Sequence, residues 1–370
     1  MRILVLNWRD IRNPTSGGAE ILTHEMEKRW VKEGHSVTQF SSYFPGAKKE
    51  ETIDGIKILR RGHADARFVF WSVHFLAFFY YIKYFRNRFD IVIDEVHGLP
   101  FFTPWFVKEK KAVLICEVAG GLWKRVYGPL LGGLGRAVEI FYLRYVYRSI
   151  PFITISESTK RELINNGIQQ DRITVLPMGI SYPPKFKPYL KEETPTLVFV
   201  GRLSKTKGVE DAILALKEIG GKYPDIKFWI IGKGEMQYES YLKKLCIKLG
   251  LKDKIRFFGF VSQDQKFKLM SRAHILVVPS AKEGWGLVVN EAGICGTPSV
   301  VYNTAGLRDI VEDGTTGILV EKSPHGIAGG VVRLLSDRNL YKHIQIAAWK
   351  QAKEKNWDNT ANFALSIFRQ

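Results

Sequence analysis

The sequence predicts an α/β protein of two Rossmann-like, doubly wound parallel-sheet domains. Three observations predict it. Short apolar runs alternate with helical stretches from residue 1 to about 180. The alternation lapses at ISYPPKFKPYLKEETP, Ile180 to Pro195, where four prolines and mixed charge mark a boundary. It then restarts at residue 196 with the same rhythm. Strands that alternate with helices favour a parallel sheet, because parallel neighbours need a crossover between them. The expected division is an N-terminal domain at 1–180, a linker at 181–195, a C-terminal domain at 196–354 and a last helix at 355–370. That helix is expected to pack back on the N-terminal domain.

In the first half, RILVLN (2–7) reads as a strand, followed by the loop NPTSGGAE and an amphipathic helix to about Lys32. Gly34-His35-Ser36 turns the chain into VTQF. Further strands are DIVIDEV (90–96), AVLIC (112–116) and FITIS (152–156). Ser156 is placed to cap a helix that ends near Asn166-Gly167. In the second half the runs are TLVFVG (196–201), KFWIIG (227–232), IRFFGF (255–260), HILVVPS (274–280), PSVVY (298–302) and GILV (317–320). The chain after Ser336 reads as helices, with Trp357 and ANFALSIF packing inward. Two such domains imply a cleft, with ligands beyond the carboxyl ends of the strands.

Composition narrows the class. The chain has 370 residues, and its 45% apolar content is that of a globular protein. Lys and Arg exceed Asp and Glu by 55 to 37, a formal charge of +18 spread over both halves. Such a surface suits nucleic acid, an anionic membrane or a phosphorylated substrate. No nucleic-acid-binding signature accompanies it, so nucleic acid is not an expected partner. Three scattered cysteines, Cys116, Cys246 and Cys295, give neither a disulfide framework nor metal-ligand spacing. With no signal-peptide layout at MRILVLNW, a cytoplasmic location is expected. FVFWSVHFLAFFYYI, Phe68 to Ile82, is too short to span a bilayer and is expected as a buried helix, or as a face touching the membrane interface.

The most informative stretch is PSAKEGWGLVVNEAG, Pro279 to Gly293. A strand runs into a Gly-rich loop and then a helix, a layout that presents backbone N–H groups to an anionic ligand. Glu283 on the loop and Glu291 on the helix are suited to accept hydrogen bonds from sugar hydroxyls, so together they could hold two parts of one nucleotide-sugar. The second candidate is GRLSKTKG, Gly201 to Gly208, after the first strand of the second half. Arg202 and Lys207 there are natural partners for a diphosphate; the alternative is a solvated basic loop. GKGE, Gly232 to Glu235, lacks the third glycine of a dinucleotide fingerprint, which argues against an NAD enzyme.

The set GRLSKTKG, IIGKGE, FFGFVS, PSAKEGWGLVVNEAG and VEDGTTGILV resembles the retaining glycosyltransferases of family 4, with the GT-B fold. NWRDIRNPTSGGAE, DEVHGLPFFTP and TISESTKREL extend the resemblance over nearly the whole chain. The resemblance implies that Arg202 and Lys207 bind the donor diphosphate and that Glu283 holds a hydroxyl of the transferred sugar. It implies further donor contacts from Gly232, Gly284, Trp285, Gly286 and Leu287, and ribose contacts from Glu291. Gly17 and Gly18 would let backbone N–H groups approach the phosphates; the alternative for them is a tight turn. Relatives carry a histidine near the transferring sugar where this chain has Cys116-Glu117. Glu117 or His97 takes over, or the role is absent. Cys116 and Cys295 are expected in the core.

The implied reaction has no enzyme nucleophile. The acceptor hydroxyl attacks from the face that the nucleotide leaves, and the protein positions and stabilises. No D-x-D motif is present to hold a divalent ion, and two fixed cations can do that ion's work, so no metal and no cofactor are expected. The donor is a nucleotide-diphosphate sugar of UDP or GDP type. The acceptor is expected to be a glycan or lipid-linked glycan, as in polysaccharide or glycolipid biosynthesis. Phe68 to Phe89 and Trp123 to Tyr147 are the candidate peripheral membrane contacts. A nucleotide-sugar epimerase and a non-catalytic nucleotide-sugar-binding module are the alternatives.

Overall fold

A computed structural model of the chain describes residues 1–64 and 72–369. It divides into two compact units, Met1–Gly179 together with the segment from Asn356 onward, and Ile180–Lys355.

The first unit is built on an eight-stranded sheet. In chain order its elements are β1 (Arg2–Leu6), α1 (Gly18–Lys32), β2 (Ser36–Ser41), β3 (Glu50–Ile53), β4 (Ile56–Arg60), α2 (Val73–Tyr80), β5 (Ile91–Val96), β6 (Lys110–Ile115), α3 (Leu122–Phe141), β7 (Phe152–Thr154), α4 (Glu157–Asn165) and β8 (Ile173–Val175). The strand order is β3-β4-β2-β1-β5-β6-β7-β8. All neighbours run parallel except β3 and β4. Central strands are buried on both faces, which is why they read as continuous Ile, Val and Leu. All six positions of β5 are buried, Asp94 and Glu95 included.

Two departures from the sequence expectation have clear causes. The β3–β4 hairpin went unread because β3, EETI, buries only one residue fully. Its turn, Asp54-Gly55 at φ 49° and 82°, is nevertheless a strong short-range hairpin signal. The apolar run from Phe68 begins outside the described residues, as far as Trp71. Its remainder is not simply buried. Val73, Ala77, Tyr81 and Phe85 pack with Leu4, Leu6 and Phe40, while Phe79, Ile82 and Tyr84 face outward. One helical face can be covered by one sheet; the opposite face is left in solvent.

α3 bends where Gly128, at φ 78°, precedes Pro129. Val126, Tyr127, Leu130, Leu131, Leu134 and Phe141 on it are exposed, an unusually large apolar surface for one helix. The last helix, α12 (Trp357–Arg369), belongs to this first unit, so it is named here ahead of its place in the chain. Trp30 of α1 donates from Nε1 to the Ala361 carbonyl at 3.0 Å, and Thr360 donates to the Pro177 carbonyl at 2.6 Å.

The second unit holds β9 (Thr196–Val200), α5 (Val209–Ile219), β10 (Lys227–Ile231), α6 (Met236–Lys248), β11 (Ile255–Gly259), α7 (Gln263–Arg272), β12 (Ile275–Val278), α8 (Leu287–Ile294), β13 (Ser299–Tyr302), α9 (Leu307–Ile310), β14 (Ile318–Val320), α10 (Pro324–Ser336) and α11 (Arg338–Lys353). The sheet is wholly parallel, in the order β11-β10-β9-β12-β13-β14. Phe228 and Ile230 pack toward α5 and α10 on one face; Leu276, Val278 and Val301 pack toward α7 and α8 on the other. Residues 181–195 contain no helix or strand. They are anchored by Lys191, whose ammonium donates to Thr297 and to the Ala273 carbonyl, both at 2.7 Å. Burial lowers the pKa of that amine to about 7.

Candidate active site

The order of the second sheet brings the sequence candidates together. β9 and β12 are neighbours and parallel, so their carboxyl-end loops emerge side by side although 76 residues separate Lys207 from Glu283. Thr206 accepts a backbone hydrogen bond from Ala281 at 2.8 Å. Gly208, at φ 69°, makes this approach possible. A Cβ there would stand 2.0 Å from the Pro279 carbonyl oxygen.

Lys207 Nζ then donates to Glu283 Oε1 at 2.6 Å, and Ser280 Oγ donates to the same oxygen at 2.7 Å. Both members of the ion pair are partly shielded, with side chains 29% and 15% exposed. Arg202 stands exposed on the same loop, with no hydrogen bond or ion pair among the described residues. One cation of the predicted pair is therefore committed to a predicted acid, and the other is open.

Gly284 and Trp285 continue the β12 loop. Gly286, at φ 97°, is the N-cap of α8, and Leu287 is its first residue. The Trp285 ring lies 5.7 Å from the Lys355 ammonium, and its indole N–H is buried with no hydrogen-bond partner among the described residues. Glu291 projects from α8 and accepts from Lys266 Nζ of α7 at 2.7 Å. Gly232 closes β10 at φ 137°, where a Cβ would stand 1.8 Å from the Gly201 carbonyl oxygen. It is a contact point between the loops of β9 and β10. Cys295 is buried, with its thiol pKa pushed well up by burial, and behaves as a core residue.

Sequence reasoning missed Ser280 and Lys266. Ser280 was readable as the residue closing the strand, immediately before the acidic loop. Lys266 left no signal, since an isolated lysine in a polar helical turn looks like any other.

In the first unit, Gly17 is the N-cap of α1, with extended backbone at φ −143°, and Gly18 opens the helix. The Gly17 N–H donates to Glu20 at 2.6 Å. Glu20 is buried and also accepts from Arg9 Nε at 3.0 Å. Burial would raise its pKa, but Arg9 and His97 outweigh that and hold it low. His97 stacks on Trp8 with centroids 5.2 Å apart and meets Glu95 at 2.9 Å. Burial lowers the His97 pKa, yet the hydrogen bond and charge of Glu95 raise it on balance. Glu117 is half-buried just beyond β6, and Cys116 beside it is buried, with its thiol pKa pushed up. His97 and Glu117 follow adjacent strands, at the carboxyl edge of the first sheet.

Comparison with known proteins gives the same picture. Residues 183–351 match the family described as glycosyl transferases group 1, and residues 16–182 match glycosyltransferase family 4. A glycosyltransferase of Methanocaldococcus jannaschii, described as uncharacterized, is 29% identical over 395 aligned residues, covering 100% of this chain and 98% of the relative. Sucrose-phosphate synthase from Thermosynechococcus elongatus shares the fold with a TM-score of 0.81 at 19% identity, covering 100% of this chain and 98% of that one. Anabaena HepE, solved with UDP and glucose, has a TM-score of 0.75 at 15% identity and full coverage of both chains. With its two halves matched by these two family models and its fold shared with such enzymes, the chain belongs to family 4 of the glycosyltransferases and is a glycosyltransferase of the GT-B fold.

Proposed function

We propose that this glycosyltransferase is a retaining, metal-independent enzyme that takes its sugar from a nucleotide-diphosphate donor. The observation that carries this reading is the meeting of Lys207, Glu283 and Ser280 at the strand ends, with Arg202 open beside them. Arg202 and Lys207 would bind the diphosphate and stabilise the charge that gathers on it as the glycosidic bond breaks. Glu283 Oε1 is held in place, which leaves Oε2 for a sugar hydroxyl. The acceptor hydroxyl then bonds to the anomeric carbon on the face from which the diphosphate leaves. The bonding electrons stay with the diphosphate, and one of its oxygens takes the acceptor proton. Gly232, Gly284, Trp285, Gly286 and Leu287 line the donor, and Glu291 receives the ribose. Gly17 and Gly18 are proposed phosphate contacts; the Gly17 N–H would have to leave Glu20 to serve. Glu117 and His97 are the acceptor-side candidates. HepE complexes with UDP and UDP-glucose favour a UDP-type donor.

The acceptor is proposed to be a glycan or lipid-linked glycan at a membrane surface. No helix among the described residues is long and apolar enough to cross a membrane. The exposed Leu130, Leu131 and Leu134 on α3, with Lys124 and Arg125 a turn or two earlier, have the chemistry of an interfacial contact instead. Anionic vesicles at low salt are expected to bind the protein, and replacing Leu130, Leu131 and Leu134 by serine to release it. Indifference to such vesicles would remove the membrane from the proposal.

The deciding experiment is a thermal-shift screen of UDP-, GDP-, ADP- and dTDP-sugars with and without EDTA. One donor should stabilise the protein, equally in both conditions. Stabilisation lost with EDTA would overturn metal independence. Stabilisation by none would overturn the donor site as drawn. Nucleotide release that needs an added acceptor separates transfer from epimerisation.

A further inference from the structure

Glu291 lies on a short helix whose backbone fixes its Cα but not its carboxylate. The terminal torsion of a glutamate is broad, so a carboxylate that must meet two vicinal hydroxyls needs something to aim it. Lys266 is placed to do so. Its ammonium donates to Oε1 of Glu291 at 2.7 Å, and the two side chains are only 15% and 13% exposed. At that burial the pair is less screened than a surface salt bridge.

Lys266 is itself held. Its ammonium lies 5.1 Å from the centre of the buried Phe267 ring. The first turn of α7 is fixed by Ser262, whose carbonyl accepts from the Lys266 N–H at 2.9 Å and whose hydroxyl accepts from the Gln265 N–H at 3.3 Å. Glu291 is the one carboxylate this ammonium meets among the described residues. Oε2 of Glu291 has no partner among them.

We propose that Lys266 is a positioning residue for the nucleotide ribose: by holding Oε1 it turns Oε2 of Glu291 toward the 2′- and 3′-hydroxyls. The inference rests on the donor-site reading of Glu291 given above. It adds a second lysine–glutamate pair to the Lys207–Glu283 pair, with a different task. Lys207 shares its acid with the reacting end of the donor, and Lys266 serves only the nucleoside end. Loss of Lys266 should therefore raise the donor KM and leave kcat little changed.

The test compares UDP, GDP and ADP with their 2′,3′-dideoxy counterparts, binding to wild-type protein, E291A, K266M and K266R. Wild type is expected to prefer the ribonucleotide of its base, and E291A to lose that preference. K266M should weaken the ribonucleotide roughly tenfold and leave the dideoxynucleotide unchanged. K266R should keep most of the preference. A merely structural bridge between α7 and α8 would weaken both nucleotides alike in K266M, and that result would overturn the proposal. If E291A loses the preference while K266M keeps it, the inference fails and the donor site stands. If E291A keeps the preference, or wild type has none, the reading of Glu291 fails and this inference with it. Should K266M unfold, K266Q replaces it, with the same split between ribose and dideoxyribose expected.

Discussion

The two units handle charge in opposite ways. In the second, Glu283 on the β12 loop and Glu291 on α8 keep some contact with solvent, and each is paired with one lysine. The first sinks its acids into the body of the domain. Asp10 and Arg60 are fully buried and joined through Nε at 2.6 Å and Nη2 at 2.8 Å. Asp94 is enclosed by Thr103, Tyr147 and the backbone N–H groups of Phe101 and Thr103. Glu27 is fully buried with neither carboxylate oxygen hydrogen-bonded among the described residues. Charges proposed to exchange partners with a substrate stay near water, where the exchange is cheap. Charges that fix a shape go inside, where losing a partner is costly.

Four variants probe this contrast, the largest effect first. Asp10→Ala leaves the buried Arg60 guanidinium with Glu51 as its remaining acid, and should destabilise the protein by up to about 3–5 kcal/mol in urea unfolding. A loss below about 1 kcal/mol would mean that Glu51 or water replaces Asp10 beside Arg60 and that the contrast is overdrawn. Glu283→Gln should lower kcat/KM by about 10²–10³ while the unfolding midpoint moves little. Stability lost in place of activity would assign Glu283 to architecture.

The third test uses pH. Burial, with Glu95 and Asp10 nearby, raises the Glu27 pKa well above its ordinary 4.5. The folded state then keeps a proton that the unfolded chain releases. Stability is full below pH 4.5 and is lost as pH rises toward the folded value, by up to about 1.4 kcal/mol per pH unit. His74 has the opposite sign: burial lowers its pKa to about 4, so its contribution is lost as pH falls between 6.5 and 4. His97, with its pKa raised, and Lys191, lowered to about 7, also titrate as pH rises, so the Glu27 part is read as the difference between wild type and Glu27→Gln, whose stability should fall less with rising pH. An unchanged slope in that variant would locate the titration elsewhere. The smallest effect is expected from Arg2→Ala, whose exposed pair with Asp90 contributes about 0.2–1 kcal/mol. A larger cost would show that exposure alone does not rank these ion pairs.

What was legible in the sequence follows from the same physics. β1, β5, β9 and β12 were readable because burial on both faces demands unbroken apolar runs. β8, three residues long, and β3, mostly polar at a sheet edge, carry too little apolar signal to register. The acids and cations of the β9 and β12 loops were legible as residue types at characteristic spacing. That Lys207 meets Glu283, and Lys266 meets Glu291, depends on which strands are neighbours. Strand order leaves no local mark on the chain. The segment from Phe68 stayed open between a buried helix and an interface face for a related reason: composition gives the hydrophobicity of a helix, and only its packing partner decides which side is covered.

Gly208 offers a way to intervene without touching a charge. A single methyl group at this position collides with the Pro279 carbonyl and would act as a wedge between the two loops. Gly208→Ala would keep every ionisable group of the site and still part the ammonium from the carboxylate. Chemistry and assembly, which any charge substitution alters together, become separable there by the volume of one carbon atom.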